Sequence, residues 1–115
     1  ILNKTIYKSK NIVFDAPAHH YDIIVDIPND FESIAENDNC IQSIYSARKK
    51  IFCTQYHSEL GYDYIANLMV FWKKNYSKII NELDFDALIN SLRMKEVNDN
   101  ENRLIELKNW LKLLN

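Results

Sequence analysis

Apolar positions along the chain change period once, near residue 60, and the change separates expected strands from expected helices. In residues 1–10, Ile6 and Tyr7 alternate with Lys4, Lys8 and Lys10, the pattern of a short strand. Ile12-Val13-Phe14 is a compact β-type run stopped by Asp15 and Pro17, and a loop carrying His19 and His20 follows. Tyr21 to Ile27 places Ile23, Val25 and Ile27 on one face of a second strand, and Pro28-Asn29-Asp30 turns the chain. Phe31 to Glu36 and Cys40 to Tyr45, joined by Asn37-Asp38-Asn39, predict a β-hairpin. Ile51 to Tyr56, rich in β-branched and aromatic residues, predicts the central strand, ending near His57.

From Tyr62 the spacing becomes helical. Tyr62, Ile65, Ala66, Met69, Trp72, Tyr76 and Ile79 fall three and four apart and form one face for packing on a sheet. Asp84 is placed to cap a shorter helix with Phe85, Leu88, Ile89 and Leu92 inward. After the polar interval Val97 to Asn102, Glu101 to Leu114 repeats the pattern, with Leu104, Leu107, Leu111 and Leu114 on one face. These last two helices form an extension over residues 81–115, suited to covering a sheet face or docking on a partner.

Composition narrows the classes of function. With 115 residues, 47% of them hydrophobic, and a net charge of −2, the chain reads as one globular domain or part of one. The near-neutral charge gives no electrostatic case for nucleic acid. No apolar run is long enough to span a bilayer or serve as the core of a signal peptide, so a cytoplasmic location with no membrane partner is expected. Two cysteines without a pairing pattern agree with a reducing compartment. No CxxC or HxxxH spacing supports a metal site, and no cofactor is implied. The start at Ile1 and the scarcity of glycine point to a fragment.

The chemistry concentrates where the period changes. Residues two apart on an extended segment point the same way, so the Glu59 carboxylate falls within reach of the His57 imidazole. Such a pair is the base and orienter of a nucleophilic triad. Cys53 cannot be the nucleophile for His57, because four residues of strand span roughly 13 Å, whereas nucleophile and base must approach to about 3 Å. Cys53 is therefore expected to pack.

Gln55-Tyr56-His57-Ser58-Glu59 resembles the Gln-aromatic-His-Pro-Glu signature of class I glutamine amidotransferases and the related γ-glutamyl hydrolases. Pro17-Ala18-His19-His20-Tyr21 resembles the Ser-x-His-His loop that precedes the signature in that superfamily. Ser33-Ile34-Ala35-Glu36, Cys40 to Ile44, and Ala66-Asn67-Leu68-Met69-Val70-Phe71 are similar to its intervening strands and following helix. The likeness spans residues 10–80; Ser58 stands where the family has proline, and Cys53 where it has glycine.

The resemblance implies an α/β fold, the carboxyl-terminal part of a flavodoxin-like class I glutamine amidotransferase domain over residues 1–80, with extra C-terminal helices. It implies His57 and Glu59 as catalytic residues, His19 and His20 facing the substrate, and glutamine or a γ-glutamyl compound as substrate. The family's nucleophile lies in a Gly-x-Cys-x-Gly elbow, and the only glycine here is Gly61, beyond the histidine. The expected partner is accordingly a separately encoded amino-terminal half, or a second copy of the chain, with no activity from the chain alone. The other expectation is a non-catalytic remnant or binding module that docks on a partner.

Overall fold

A computed structural model describes residues 6–18, 20 and 22–114. The fold is mixed α/β, a small antiparallel sheet and helices, and it divides into two compact units. One comprises Ile1–Glu59 and Arg103–Asn115, the other Leu60–Asn102. The boundary expected near residue 80 falls inside the second unit.

The first unit is built on three strands, β1 (Glu32–Glu36), β2 (Ile41–Ser46) and β3 (Ile51–Thr54), paired in the order β1-β2-β3. The hairpin expected at residues 31–45 forms with Glu32 opposite Tyr45 and Glu36 opposite Ile41. Its turn is made by Asn37, whose side-chain oxygen accepts the backbone N–H groups of Asn39 and Cys40 at 2.9 and 3.0 Å, an Asx turn that fixes the register. Ser46 Oγ accepts the Lys49 N–H at 3.1 Å in the next turn, and Lys50 takes a positive φ of 57° before β3 begins.

One face of this sheet is covered by residues from both ends of the chain. Ile6, Tyr7, Ile34 and Tyr45 form a buried cluster, with Phe14, Phe52 and Trp110 packed against it. Residues 6–10 make a turn rather than the expected strand. Ile12 and Val13 are exposed, Val13 at 87%, and among the described residues no neighbouring strand offers them a ladder. The strand expected over residues 21–27 is reduced, among the described residues, to one bridge between Ile24 and Ile41, with Ile23 and Val25 exposed. Alternation alone does not make a strand when the hydrogen-bonding partner is missing.

In the second unit α1 (Tyr62–Phe71) buries Tyr62, Ile65, Ala66 and Met69, the expected face. Trp72 closes that helix in a non-helical conformation (φ −99°, ψ 26°), and only the short α2 (Lys73–Tyr76) follows. The stripe therefore stops: Trp72 and Ile79 are exposed. The helix α3 (Glu82–Arg103) runs 22 residues, straight through the polar interval expected to end it, since Glu, Asn and Asp reduce helix propensity only modestly. Its cap is Asn81 rather than Asp84: Asn81 Oδ1 accepts the Asp84 N–H at 2.9 Å. Phe85 and Ile89 pack on Ile65, Ala66 and Met69 as the unit's core.

The last helix, α4 (Ile105–Leu113), belongs to the first unit and turns a different face inward from the leucine face expected. Glu106 is buried and Trp110 joins the sheet cluster, while Leu111 is 50% exposed. Asn109 Nδ2 donates to the carbonyls of Ile6 and Lys8 at 2.8 and 2.9 Å, and Trp110 Nε1 to that of Lys50 at 3.3 Å. The segments under α4 present carbonyl oxygens and a lysine, so its polar face docks there in preference to its leucines. Among the described residues no helix is long and apolar enough to cross a membrane.

Candidate functional site

β3 ends at Thr54, earlier than expected, because Thr54 Oγ1 donates to the Tyr56 carbonyl at 2.6 Å and bends the chain. Beyond the bend, Tyr56 bridges to Ala18 and the His57 N–H donates to the Pro17 carbonyl at 2.7 Å. The segment opening the histidine loop therefore runs antiparallel beside the residues that deliver His57. Two motifs nearly forty residues apart in sequence are neighbours.

His57 Nδ1 lies 2.8 Å from Glu59 Oε1. The reach expected from their two-residue spacing is what the structure has. A carboxylate only accepts hydrogen bonds, so Nδ1 carries a proton in this contact, and in the neutral ring Nε2 keeps its lone pair. The His57 side chain is 34% exposed and that of Glu59 53%, so both are reachable from solvent. This is an imidazole oriented from one nitrogen and open at the other, the arrangement of a general base.

Of the other expected site residues, His19 lies outside the described residues. His20 is exposed, and its Nδ1 lies 2.7 Å from the Asp22 carbonyl. It lines an open groove of about 1090 Å³ together with Phe14, Asp15, Glu36, Gln42 and Tyr56. His57 and Glu59 do not line that groove. Cys53 is exposed and does not pack as expected, since β3 turns Phe52 to the core and Cys53 to the opposite face. Cys40 is half-buried and receives the Gln42 side-chain amide at 3.2 Å. Among the described residues no group of three or more His, Cys, Asp or Glu side chains could hold a metal ion.

Sequence reasoning missed a buried polar network directly behind His57. Lys10 Nζ donates to both carboxylate oxygens of Glu106, at 2.8 and 2.6 Å, with the two side chains 1% and 0% exposed. The Tyr56 hydroxyl donates to Glu106 Oε2 at 2.9 Å, the Tyr7 and Tyr56 hydroxyls are 2.7 Å apart, and Tyr7 reaches Ser43 Oγ at 2.7 Å. Lys10 also sits over the Phe14 ring, 4.2 Å from its centre.

Burial pushes the Tyr7 phenol up to about 12, against the hydrogen bonds from Ser43 and Tyr56 that lower it. Burial likewise raises the Tyr56 phenol, and the neighbouring Tyr7 and Glu106 raise it further. Both tyrosines are held neutral. Each acts as a hydrogen-bond relay, and neither as a base. The sequence signal for the network was slight: a glutamate and an asparagine on one side of a leucine-rich helix look like a solvated face until the sheet beneath is known.

Compared with protein-family models, with characterised proteins and with solved structures, the chain matches none.

Proposed function

We propose that residues 10–80 are the carboxyl-terminal half of a domain like the class I glutamine amidotransferases and γ-glutamyl hydrolases, on a flavodoxin-like sheet that other residues would complete. The observation that carries this reading is the 2.8 Å approach of Glu59 to His57 Nδ1, in a Gln-Tyr-His-Ser-Glu segment that lies beside the histidine loop. The nucleophile would come from outside these 115 residues, which hold no Gly-x-Cys-x-Gly turn.

In the completed site a cysteine thiol would attack the γ-carbonyl carbon of glutamine or of a γ-glutamyl amide. His57 Nε2 would take the thiol proton and pass it to the leaving amine, giving a γ-glutamyl thioester and ammonia or an amine. Water, deprotonated by the same imidazole, would then release glutamate and restore the thiol. Glu59 would hold the ring orientation and stabilise the imidazolium. His19 and His20 would face the substrate from the neighbouring loop.

The partner that completes the triad in this reading is a separately encoded amino-terminal half; a second copy of the chain would cover open surfaces but supply no nucleophile. The exposed Ile12 and Val13 of the first unit, and the exposed Phe71 and Trp72 of the second, favour association over an isolated monomer. The same surfaces favour the second reading, a non-catalytic module that binds a partner.

The test begins with the coding sequence immediately upstream of the Ile1 codon, read in all frames. A neighbouring segment that reads strand, Gly-x-Cys-x-Gly, helix is co-expressed with the chain, and ammonia release from L-glutamine is measured. The chain alone releases none. The assembled pair does, and His57→Ala lowers turnover roughly 10²–10⁴-fold. Absence of such a segment, or turnover indifferent to His57→Ala, leaves the binding module as the surviving reading.

A further inference from the structure

His57 and Glu59 are both open to solvent, and an exposed polar side-chain pair contributes little by itself to holding two side chains in one geometry. Their approach must be imposed by the backbone between them. Ser58, the residue between, is only 5% exposed although its neighbours are not. Its carbonyl accepts a hydrogen bond from Arg103 Nη1 at 2.6 Å, and Arg103 is itself 8% exposed.

We infer that Arg103 is a positioning residue: from the end of α3 it fixes the Ser58 carbonyl and thereby holds His57 and Glu59 in register. Several hydrogen bonds hold this short segment. Thr54 Oγ1 holds the Tyr56 carbonyl, Glu106 holds the Tyr56 hydroxyl, and the Pro17 carbonyl holds the His57 N–H. Those three act at or before the first member of the pair, His57. Arg103 acts between its members, on the peptide whose rotation would swing Glu59 away from Nδ1. A buried charge-assisted bond suits the task, because a free carbonyl there would have no water to turn to.

Arg103 and Glu106 lie three residues apart and reach the same bend, so the C-terminal segment is a brace for the site. Residue 58 is serine here where the resembling signature has proline, and the ring that would stiffen the turn is absent. The arginine supplies stiffness from outside. The inference rests on the reading of His57 and Glu59 as the functional pair, but its readout does not require activity.

The experiment is ¹⁵N NMR of the histidine side chains in the full chain, at a pH where the imidazole is neutral, with His57 assigned by His57→Gln. The wild type shows the Nδ1–H tautomer dominant at His57. Arg103→Met lowers the ratio of Nδ1–H to Nε2–H on the order of fivefold, the loss of one modest hydrogen bond. Arg103→Lys, which keeps the charge and a donor, restores part of it. Arg93→Met, which removes an exposed arginine of the second unit, leaves it unchanged.

Should Arg103→Met fail to fold, Arg103→Gln keeps an N–H donor on a shorter stem, and its ratio falls at least about twofold. A folded Arg103→Met or Arg103→Gln with the wild-type tautomer ratio overturns the inference, whatever its melting temperature. A tautomer that depends on Arg103, with an assembled pair that never hydrolyses glutamine, sinks the proposed reaction and leaves the brace standing. An active assembly with an Arg103-independent tautomer does the reverse.

Discussion

At the scale of residues, the unit holding His57 depends on a charge pair that is wholly out of water. Lys10 and Glu106 satisfy each other, and Tyr56 and Phe14 complete their surroundings. Removing one partner strands the other, so Lys10→Met is expected to cost about 3–5 kcal/mol in urea unfolding. The double variant Lys10→Met, Glu106→Leu should be less damaging than Lys10→Met alone. A double-variant loss equal to the sum of the two single losses would show that the pair is not coupled. The sequence announced His57 and Glu59 because they lie two residues apart in the chain, although the backbone between them bends at Ser58. Lys10 and Glu106 are ninety-six positions apart, and nothing local couples them.

At the scale of elements, the helix caps decide where α1 and α3 begin. Gly61 precedes α1 with φ −69° and ψ 151°, a conformation any residue adopts, so its value lies in its lack of a side chain. A Cβ there would lie 3.2–3.3 Å from the Glu96 carboxylate oxygens, and Glu96 Oε2 accepts the Tyr62 N–H at 2.6 Å. Glu96 on α3 thus caps α1 in the place of an N-cap side chain. Gly61→Ala should destabilise by about 1 kcal/mol and add little in a Glu96→Ala background, measured by a thermal double-mutant cycle. Additive losses would mean that the glycine serves something else. Asn81→Ala should cost a similar ~1 kcal/mol through loss of the α3 cap. Strand positions β1 to β3 and the start of α1 were readable because turn chemistry and period marked them. The length of α3 was not, since polar residues look the same in a solvated helix and in a loop.

At the scale of the molecule, stability should respond to alkali through the phenols behind the site. For Tyr7 the folded value, about 12, exceeds the ordinary value of 10.0, and Tyr56 is also raised. Their contribution is therefore complete below about pH 10 and is lost as pH rises from there. At about pH 11 the two together should remove roughly 2–3 kcal/mol of unfolding free energy. Two phenols should ionise only as the chain unfolds, seen in phenolate absorbance beside circular dichroism. Smooth ionisation of all seven tyrosines without unfolding would contradict the buried network. By itself the sequence determined what local rules govern: the hairpin and its Asn37 turn, the start of β3, the two-residue spacing of His57 and Glu59, and the inward face of α1. Tertiary structure alone decided which apolar runs found a strand to pair with, which face of α4 went inward, and that Arg103 and Glu106 brace the bend at Ser58 and Tyr56. Those outcomes depend on which groups other segments leave to be satisfied, and a buried carbonyl or carboxylate selects its partner by position in space rather than by distance along the chain.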